Sequence, residues 1–385
     1  MRRIRALAAT VVVGASALAS APAIAASHRS GSGQFSAAVQ TRLQNVVNQA
    51  RRLGVPGVAV AVVVPGTGTF VRTVGTASYQ LSTPVTSSTH FRIGSITKTL
   101  TATAALQLVA AGKLSLTDTI DQWVPQVQNA NEITVQMLLN MTAGIADEGA
   151  PGSLLDQQVA ANPTQAYTPE QIVALAVQQG PAAAPGTFVY SDTNYAILGI
   201  IAQDVSGTAI PTLLQRVAGK AGLTGTSYPT TTAIPTPAAV GYAAAPGQHA
   251  PANPFDPSQL GAAGAMISDL TDLRAWAPQN ATGRFLTAAM QRARVQTVPT
   301  GITFAPLPKT GVTAPLTVAY GLGIANASGW LGHNGVAPGF TSEMWYLPAK
   351  KATIVVLLNA EVVQNNQIQP VADEMFASFA RIVNP

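Results

Sequence analysis

A serine and a lysine three residues apart are the part of this 385-residue sequence best suited to covalent chemistry. Ser95 precedes Lys98 where a helical pattern of apolar residues begins, and no other lysine of the chain has a serine three positions before it. Residues three apart share one face of a helix, so the lysine amine can reach the serine hydroxyl. A lysine becomes a base when burial lowers its pKa and leaves it neutral. The pair therefore predicts a serine nucleophile activated by a lysine, although a helix-capping serine beside a solvated lysine has the same spacing.

Further segments follow this pair in an order that resembles a known enzyme family. The first segment, residues 91–98, reads Phe-Arg-Ile-Gly-Ser-Ile-Thr-Lys, and the later segments are residues 133–144, 185–199, 263–276, 320–323 and 332–340. Together they resemble the motifs of the penicillin-recognising serine hydrolases, which include class C β-lactamases, D-alanyl-D-alanine carboxypeptidases and related esterases. Each segment alone is weak evidence, but the shared order of all of them favours membership of that family.

The resemblance implies roles for a tyrosine, a histidine and two backbone amides. Tyr190 matches the phenol that moves protons between nucleophile, leaving group and water, with Lys98 supplying the positive charge that a phenol needs near neutral pH. His333 matches the lysine or histidine of the third motif, and we expect it to hydrogen-bond Tyr190 or a polar group of the substrate. The backbone N–H groups of Ser95 and Val336 are expected to form the oxyanion hole. A buried structural tyrosine and a structural histidine are the alternatives at positions 190 and 333.

The expected substrate-binding residues, Asp192, Asn334 and Gly335, depart in part from the family pattern. An asparagine usually stands two residues after the motif tyrosine and donates to a substrate amide, whereas an ionised Asp192 only accepts hydrogen bonds. Its carboxylate would also favour the charged form of Lys98 and oppose the use of that lysine as a base. In the third motif Asn334 can donate to a substrate, but Val336 offers no hydroxyl to a substrate carboxylate. The Val336 departure lowers the expectation of carboxypeptidase activity and makes an esterase a stronger alternative.

Strand and helix patterns at both ends of the chain indicate one sheet built from the two termini. The predicted elements are helices over 35–53 and 371–383 and strands over 58–64, 70–74, 341–347 and 352–358. The region between them has helical and loop character, with Pro-rich loops such as residues 234–254. The expected fold class is α/β plus α: a β-lactamase/transpeptidase-like antiparallel sheet flanked by helices, with a helical insertion lobe.

The N-terminus is typical of a secretory signal. A basic start, an apolar run and a small-x-small cleavage site predict a signal peptide over residues 1–25, followed by a flexible lead-in over residues 26–34. We therefore expect a secreted, extracytoplasmic protein with no membrane span after signal removal. The hydrolase domain is predicted over residues 35–385, as an α/β lobe of residues 35–94 and 301–385 and a mainly helical lobe of residues 95–300.

The composition excludes several other classes of protein. The sequence has no cysteine, which excludes disulfides, thiolate catalysis and thiolate zinc sites. Its four histidines are widely scattered, so we expect no metal site and no cofactor. The formal net charge is +5, but three arginines of that balance lie in the predicted signal peptide, and no basic run remains that would bind nucleic acid.

These expectations define an exported serine hydrolase that forms an acyl-enzyme on Ser95. The expected partner is a small-molecule or peptide acyl substrate, and the first expectation is a D-alanyl-D-alanine carboxypeptidase acting on peptidoglycan stem peptides. A β-lactamase or an esterase with the same chemistry is the alternative. A non-catalytic protein that binds envelope peptides is the alternative from another class, because Asp192 opposes deprotonation of Lys98.

Overall fold

The computed structural model describes residues 33–365 and 367–385, so the predicted signal peptide lies outside the described residues. The strands of the described chain are β1 Gly57–Val64, β2 Gly68–Ser78, β3 Thr83–Pro84, β4 Phe91–Arg92, β5 Tyr242–Ala245, β6 Gln248–Pro251, β7 Ile267–Ser268, β8 Val298–Phe304, β9 Leu316–Tyr320, β10 Ala325–Ala327, β11 Trp330–Ala337, β12 Phe340–Leu347, β13 Ala352–Leu358, β14 Ala360–Gln364 and β15 Gln367–Gln369. The helices are α1 Ala37–Arg52, α2 Thr97–Ala110, α3 Val135–Leu139, α4 Leu154–Ala161, α5 Pro169–Gln179, α6 Asp192–Ser206, α7 Ile210–Lys220, α8 Gly261–Gly264, α9 Leu270–Thr282, α10 Ala288–Arg294 and α11 Val371–Val383.

The largest sheet joins the two ends of the chain. Its nine strands lie in the order β3-β2-β1-β13-β12-β11-β10-β9-β8, and the pairs between them are antiparallel. The N-terminal strand β1 pairs with β13 from the C-terminal region, in a register that places Val60 opposite Val356. The predicted sheet built from both termini is therefore confirmed, with the predicted strands and terminal helices within a few residues of their observed bounds.

Strand β1 is buried on both faces, which explains why its sequence lacks a polar alternation. Val58, Val60 and Val62 belong to one apolar core together with side chains of α1 and α11. Ala59 and Ala61 point the other way, into a second core that contains side chains of α9 and α7. Small residues on that second face allow the helices to approach the sheet closely. The sheet is thus a covered platform with helices on both sides.

The segment between β4 and β8 contains the helices α2 to α10 and a small hairpin. The prediction of Pro-rich loops over residues 234–254 is wrong in part, because β5 and β6 form an antiparallel pair there. Strand β5 also pairs in parallel with β14, and the second sheet has the order β15-β14-β5-β6. The Ala-rich sequence of β5 has a low preference for strands, so its conformation depends on this distant partner.

The apolar helices α6 and α7 are the part of the fold closest in composition to a membrane segment. No single helix among residues 33–365 and 367–385 has the length and apolarity of a membrane span, and α6 and α7 reach both only as a pair bent by 85°. Most residues of α6 are buried inside the protein. The apolar character of α6 therefore fits its place in the core.

Candidate active site

Ser95 lies in a 3-10 turn, Gly94–Ile96, which runs directly into α2. The sequence predicts that the helix begins at Ser95, but α2 begins at Thr97, so Ser95 lies just before the N-terminus of α2. Ser95 is partly exposed where it lines the main cleft, whereas Lys98, in the first turn of α2, is fully buried. The positive end of the helix dipole lies close to Ser95, which favours negative charge on its Oγ.

The Lys98 ammonium has one acceptor for each of its three protons. Its Nζ lies 2.8 Å from Ser95 Oγ and 2.6 Å from Asp192 Oδ1. The backbone oxygen of Ala263 lies 3.1 Å from the same Nζ. Because a lysine ammonium carries three donors and no acceptor, this arrangement fits the charged form. The structure thus brings the predicted serine and lysine within hydrogen-bond reach and adds a carboxylate to them.

Opposing effects act on the pKa of Lys98. Burial lowers the pKa, because the charged amine loses its hydration, but the Asp192 carboxylate and the Tyr190 phenol raise it by more. The pKa of Lys98 is therefore higher than that of an ordinary lysine, and the residue is an ammonium in the resting site. A neutral amine forms there only when a proton leaves Lys98, and a carboxylate acceptor for it, Asp192 Oδ1, lies 2.6 Å away.

Tyr190 lies in the loop before α6 and beside the serine–lysine pair. The Lys98 Nζ is 4.9 Å from the centroid of the Tyr190 ring, and Tyr190 and Ser95 both line the cleft. Burial raises the pKa of Tyr190, and the Lys98 ammonium opposes that rise without cancelling it. In the resting site Tyr190 is thus a neutral phenol, which can donate a proton to a leaving group.

His333 lies on β11 and faces the same cleft, but its hydrogen bonds differ from those expected. The expected bond to Tyr190 is not formed: the two ring centroids are 6.3 Å apart, and His333 Nε2 lies 2.8 Å from Tyr320 Oη. His333 Nδ1 lies 2.6 Å from the backbone oxygen of Asn334, so Nδ1 carries the proton and Nε2 accepts from Tyr320. Burial, and then the Lys98 ammonium, lower the pKa of His333 to about 3, so the imidazole is neutral.

Strand β11 passes so close to the serine turn that only glycine fits at two positions. A Cβ added to Gly94, which has a φ of +47°, would lie 2.6 Å from Val336 N. A Cβ added to Gly335 would lie 2.1 Å from the backbone oxygen of Ile93. This approach places Val336 directly beside the turn that carries Ser95, and the N–H groups of these two residues remain the expected oxyanion donors. Gly335, expected to bind substrate, also lines that cleft.

Asp192 is the first residue of α6, and its carboxylate is engaged by Lys98 rather than left free for a substrate. Its side chain is still 22% exposed at the cleft. Asp147 Oδ1 accepts a hydrogen bond from Asp192 N over 2.8 Å, and burial, followed by the Asp192 charge, raises the pKa of Asp147 to about 6. Sequence reasoning missed Asp147, because a loop acid three residues after Gly144 carries no pattern of its own.

Asn334 already uses one of its side-chain amide protons in a hydrogen bond within the protein. Its Nδ2 donates to Asp373 Oδ1 over 2.8 Å, and Asp373 lies in the first turn of α11 and lines the cleft. Behind it, Glu343 on β12 is 1% exposed, lies against Asp373 and accepts a hydrogen bond from Trp345 Nε1. Burial, and then the neighbouring Asp373, raise the pKa of Glu343 well above its usual range. Sequence reasoning missed both acids, since neither belongs to a family segment.

The cleft that joins these residues has a volume of about 670 Å³. Much of its wall is apolar, and its carboxylic side chains are those of Asp147, Glu148, Asp156, Asp192, Glu361 and Asp373. In the part of the chain that the structure describes, no arginine or lysine lines it, since Lys98 is buried beneath its floor. Nor do the described residues contain three or more His, Asp or Glu side chains grouped so that they could hold a metal ion.

A partly exposed serine bonded to a buried lysine, with a phenol and a glycine-bearing strand beside them, defines a serine hydrolase with an S-x-x-K nucleophile. Residues 36–372 match the family model described as Beta-lactamase, and the chain belongs to that family. A Bacillus subtilis (strain 168) protein named as a penicillin-binding protein, PbpX, is 27% identical over 341 residues, which are 87% of this chain and 78% of that protein. Esterase EstB of Burkholderia gladioli is 33% identical over 131 residues, 31% of this chain and 33% of the esterase.

Solved structures show the same fold. The D-stereospecific amidohydrolase from a Streptomyces species has a TM-score of 0.70 and 28% identity, with 84% of this chain and 94% of that chain covered. D-amino acid amidase from Ochrobactrum anthropi SV3, complexed with D-phenylalanine, has a TM-score of 0.76 and 23% identity over 90% of this chain and 99% of that chain. The predicted β-lactamase/transpeptidase-like fold is therefore confirmed, and the chain is a serine hydrolase of this family.

Proposed function

We propose that this serine hydrolase cleaves amide or ester bonds of small acyl compounds through a covalent acyl-enzyme on Ser95. One observation carries the proposal: Lys98 Nζ lies 2.8 Å from Ser95 Oγ and 2.6 Å from Asp192 Oδ1. The three groups form a continuous path for a proton from the hydroxyl to a carboxylate. A protein that only binds envelope peptides has no need of such a path.

The first step of the proposed reaction is the transfer of two protons. Lys98 passes a proton to Asp192, and the resulting neutral amine takes the hydroxyl proton of Ser95 as Oγ bonds to the substrate carbonyl carbon. The total charge of Lys98 and Asp192 stays zero in this transfer, because an ion pair becomes a neutral pair. In a buried site of low polarity the energies of these two states are closer than they are in water.

The later steps use the remaining groups of the cleft. The N–H groups of Ser95 and Val336 stabilise the oxyanion of the tetrahedral intermediate. The bond to the leaving atom then breaks as that atom takes a proton from Tyr190, which recovers it from Lys98. A water molecule attacks the acyl-enzyme by the same proton path in reverse, which releases a carboxylic acid and restores Ser95.

The substrate is proposed from the chemistry of the cleft. A D-alanyl-D-alanine carboxypeptidase, the first expectation from the sequence, must accept a terminal carboxylate, and the carboxylic side chains along this cleft disfavour one. Apolar wall residues beside those acids suit a neutral amide or ester. The resemblance to an amidohydrolase and to an esterase supports the same choice. We also propose that the protein is exported, on the signal-like residues 1–25.

A panel of four acyl donors tests the proposal. Wild type and Ser95→Ala are assayed with D-phenylalaninamide, a p-nitrophenyl ester, an N-acyl-D-alanyl-D-alanine peptide and a penicillin. We expect hydrolysis of the amide and the ester by wild type alone, with the peptide and the penicillin turned over more slowly. Preferred turnover of the peptide would instead support the carboxypeptidase, and no turnover of any of the four would contradict the proposed function.

A further inference from the structure

Asp373 holds a fixed position beside the reaction centre. It lies in the first turn of α11, lines the cleft, and accepts the 2.8 Å hydrogen bond from Asn334 Nδ2. Asn334 and Val336 are two residues apart on β11, so they lie about 7 Å apart on the same face of the strand. Asp373 is therefore held about one substrate residue away from the expected oxyanion hole.

The proposed reaction assigns the side of the cleft occupied by Asp373 to the leaving group. The leaving atom takes its proton from Tyr190 in the proposed reaction, so the leaving group lies against Tyr190. The ring of Tyr190 is 6.3 Å from that of His333, which directly precedes Asn334 on β11. His333, Asn334 and Asp373 all line the cleft, so a group on the leaving atom that follows β11 from His333 reaches Asn334 and Asp373.

Other groups in this part of the fold keep negative charge at Asp373 rather than neutralise it. Burial raises the pKa of both carboxyls, but that of Glu343 is raised well above its usual range, whereas Glu343 and Asn334 oppose the rise at Asp373, so Glu343 is the carboxyl that keeps a proton. Asn334 donates a hydrogen bond to Asp373 Oδ1. Among the described residues that line the cleft there is no lysine or arginine to pair with Asp373, and Glu361 adds another carboxyl to the same wall.

We propose that Asp373 is a specificity-determining residue, which makes the enzyme select acyl donors whose leaving group is neutral or cationic and reject those whose leaving group carries a carboxylate. This inference rests on the proposed acyl-enzyme function and names its substrate class. A like charge placed within a few ångströms of a half-buried carboxylate lowers binding about tenfold or more. The neutral amide of a leaving group can instead donate a hydrogen bond to Asp373.

Two matched thioesters test the proposal. N-acetyl-D-alanyl thioglycolate and its thioglycolamide share the acyl group and the reactive bond, and they differ only in the charge of the departing thiol. Both give the same acyl-enzyme, so any difference in kcat/KM reports the leaving-group side of the cleft. For wild type we expect kcat/KM to be at least about tenfold higher for the thioglycolamide.

Substitution of Asp373 assigns the effect to this residue. Asp373→Asn keeps an oxygen that can accept from Asn334, and we expect it to reduce the wild-type preference about tenfold, mainly by improving the anionic thioester. Asp156→Asn is the matched control, because Asp156 also lines the cleft but lies on α4. The control variant should keep most of the preference. An equal loss of preference in both variants would overturn the assignment to Asp373.

The wild-type measurement needs no variant and distinguishes the two proposals. Turnover of both thioesters with equal kcat/KM, or with a preference for the thioglycolate, would overturn the role of Asp373 and leave the acyl-enzyme function standing. If wild type hydrolyses neither thioester and Ser95 is not acylated, the proposed function fails and this inference fails with it. A clear preference for the thioglycolamide that Asp373→Asn removes would establish the inference.

Discussion

At the scale of single residues, the distinctive feature of this site is the salt bridge between the Asp192 carboxylate and Lys98. The ammonium of Lys98 donates to Ser95, to Asp192 and to a backbone oxygen, and the ion pair is buried on the lysine side. Removing a partner from such a pair leaves an uncompensated charge, so the pair acts as a unit. In the proposed reaction Asp192 takes the proton of Lys98, and this frees the amine to take the proton of Ser95.

Replacement of Asp192 by asparagine, the residue usual in the family, tests that role. In Asp192→Asn the proton of Lys98 must go to water, whereas in wild type it transfers within the pair. We therefore expect the acid limb of the pH profile of kcat/KM to move to higher pH in the variant. If Asp192 only holds Lys98 in its charged form, the limb will move to lower pH, and that result would contradict the proton path.

The two tyrosines of the cleft should differ in their importance. Tyr190→Phe removes the proposed proton donor, and we expect kcat/KM to fall about 100-fold or more. Tyr320→Phe removes only the hydroxyl that donates to His333, so we expect nearly unchanged kcat/KM and a loss of about 1 kcal/mol in the free energy of unfolding. Steady-state kinetics and urea denaturation measure both effects. Similar kinetic losses in the two variants would contradict the assignment of Tyr190.

At the scale of elements, the site depends on the contact between β11 and the 3-10 turn that carries Ser95. Gly94 and Gly335 permit that contact, since a Cβ on either would clash with backbone atoms of the other element. The sheet that carries β11 contains strands from the N-terminal and the C-terminal regions of the chain. Lys98 and Asp192 instead lie on helices of the segment between those regions. The nucleophile is thus positioned where the two parts of the fold meet.

Gly335→Ala tests the importance of this contact. The added methyl group would lie 2.1 Å from the oxygen of Ile93, so the strand must move away from the turn. We expect a loss of about 1 to 3 kcal/mol in the free energy of unfolding and a large fall in kcat/KM, as the oxyanion donors separate. Gly219→Ala on α7, where an added Cβ meets nothing within 4 Å, is the control and should leave both quantities nearly unchanged or slightly improve stability. Full activity in Gly335→Ala would contradict the account.

The elements that could be predicted are those whose local pattern determines their burial. The continuous apolar run of β1 and the amphipathic pattern of α11 are visible in the sequence, and both elements form where predicted. Strand β5 could not be predicted, because its Ala-rich sequence becomes a strand through pairing with β6 and with the distant β14. In the same way Ser95 and Lys98 are linked by helix spacing, whereas Asp147 and Asp373 reach the cleft through tertiary packing that no short motif records.

At the scale of the whole molecule, the stability of the fold is linked to pH through groups buried in the site. His333 has a pKa of about 3 in the folded protein, against an ordinary value of 6.5. Because its folded pKa is depressed, the unfolded chain binds a proton first as the pH falls. The contribution of His333 to stability is therefore present above about pH 6.5 and is lost progressively toward pH 3.

This linkage predicts a difference between wild type and His333→Gln that changes with pH. Relative to the variant, wild type should lose about 2 to 3 kcal/mol in its free energy of unfolding between pH 7.5 and pH 4.5. Glutamine can replace both hydrogen bonds of the imidazole but does not titrate, and every other titrating group is common to the two proteins. Urea denaturation at the two pH values measures the difference. If wild type and His333→Gln differ in free energy of unfolding by the same amount at both pH values, His333 is not held neutral.

The most direct test of the central claim, that Ser95 is a nucleophile activated by Lys98, is intact-mass analysis after exposure to a fluorophosphonate. Wild type is compared with Ser95→Ala, and circular dichroism verifies that both proteins are folded. We predict the mass increase of one covalent adduct on wild type and no increase on the variant. An adduct of the same yield on Ser95→Ala, or no adduct on folded wild type, would contradict the assignment of Ser95 as the nucleophile.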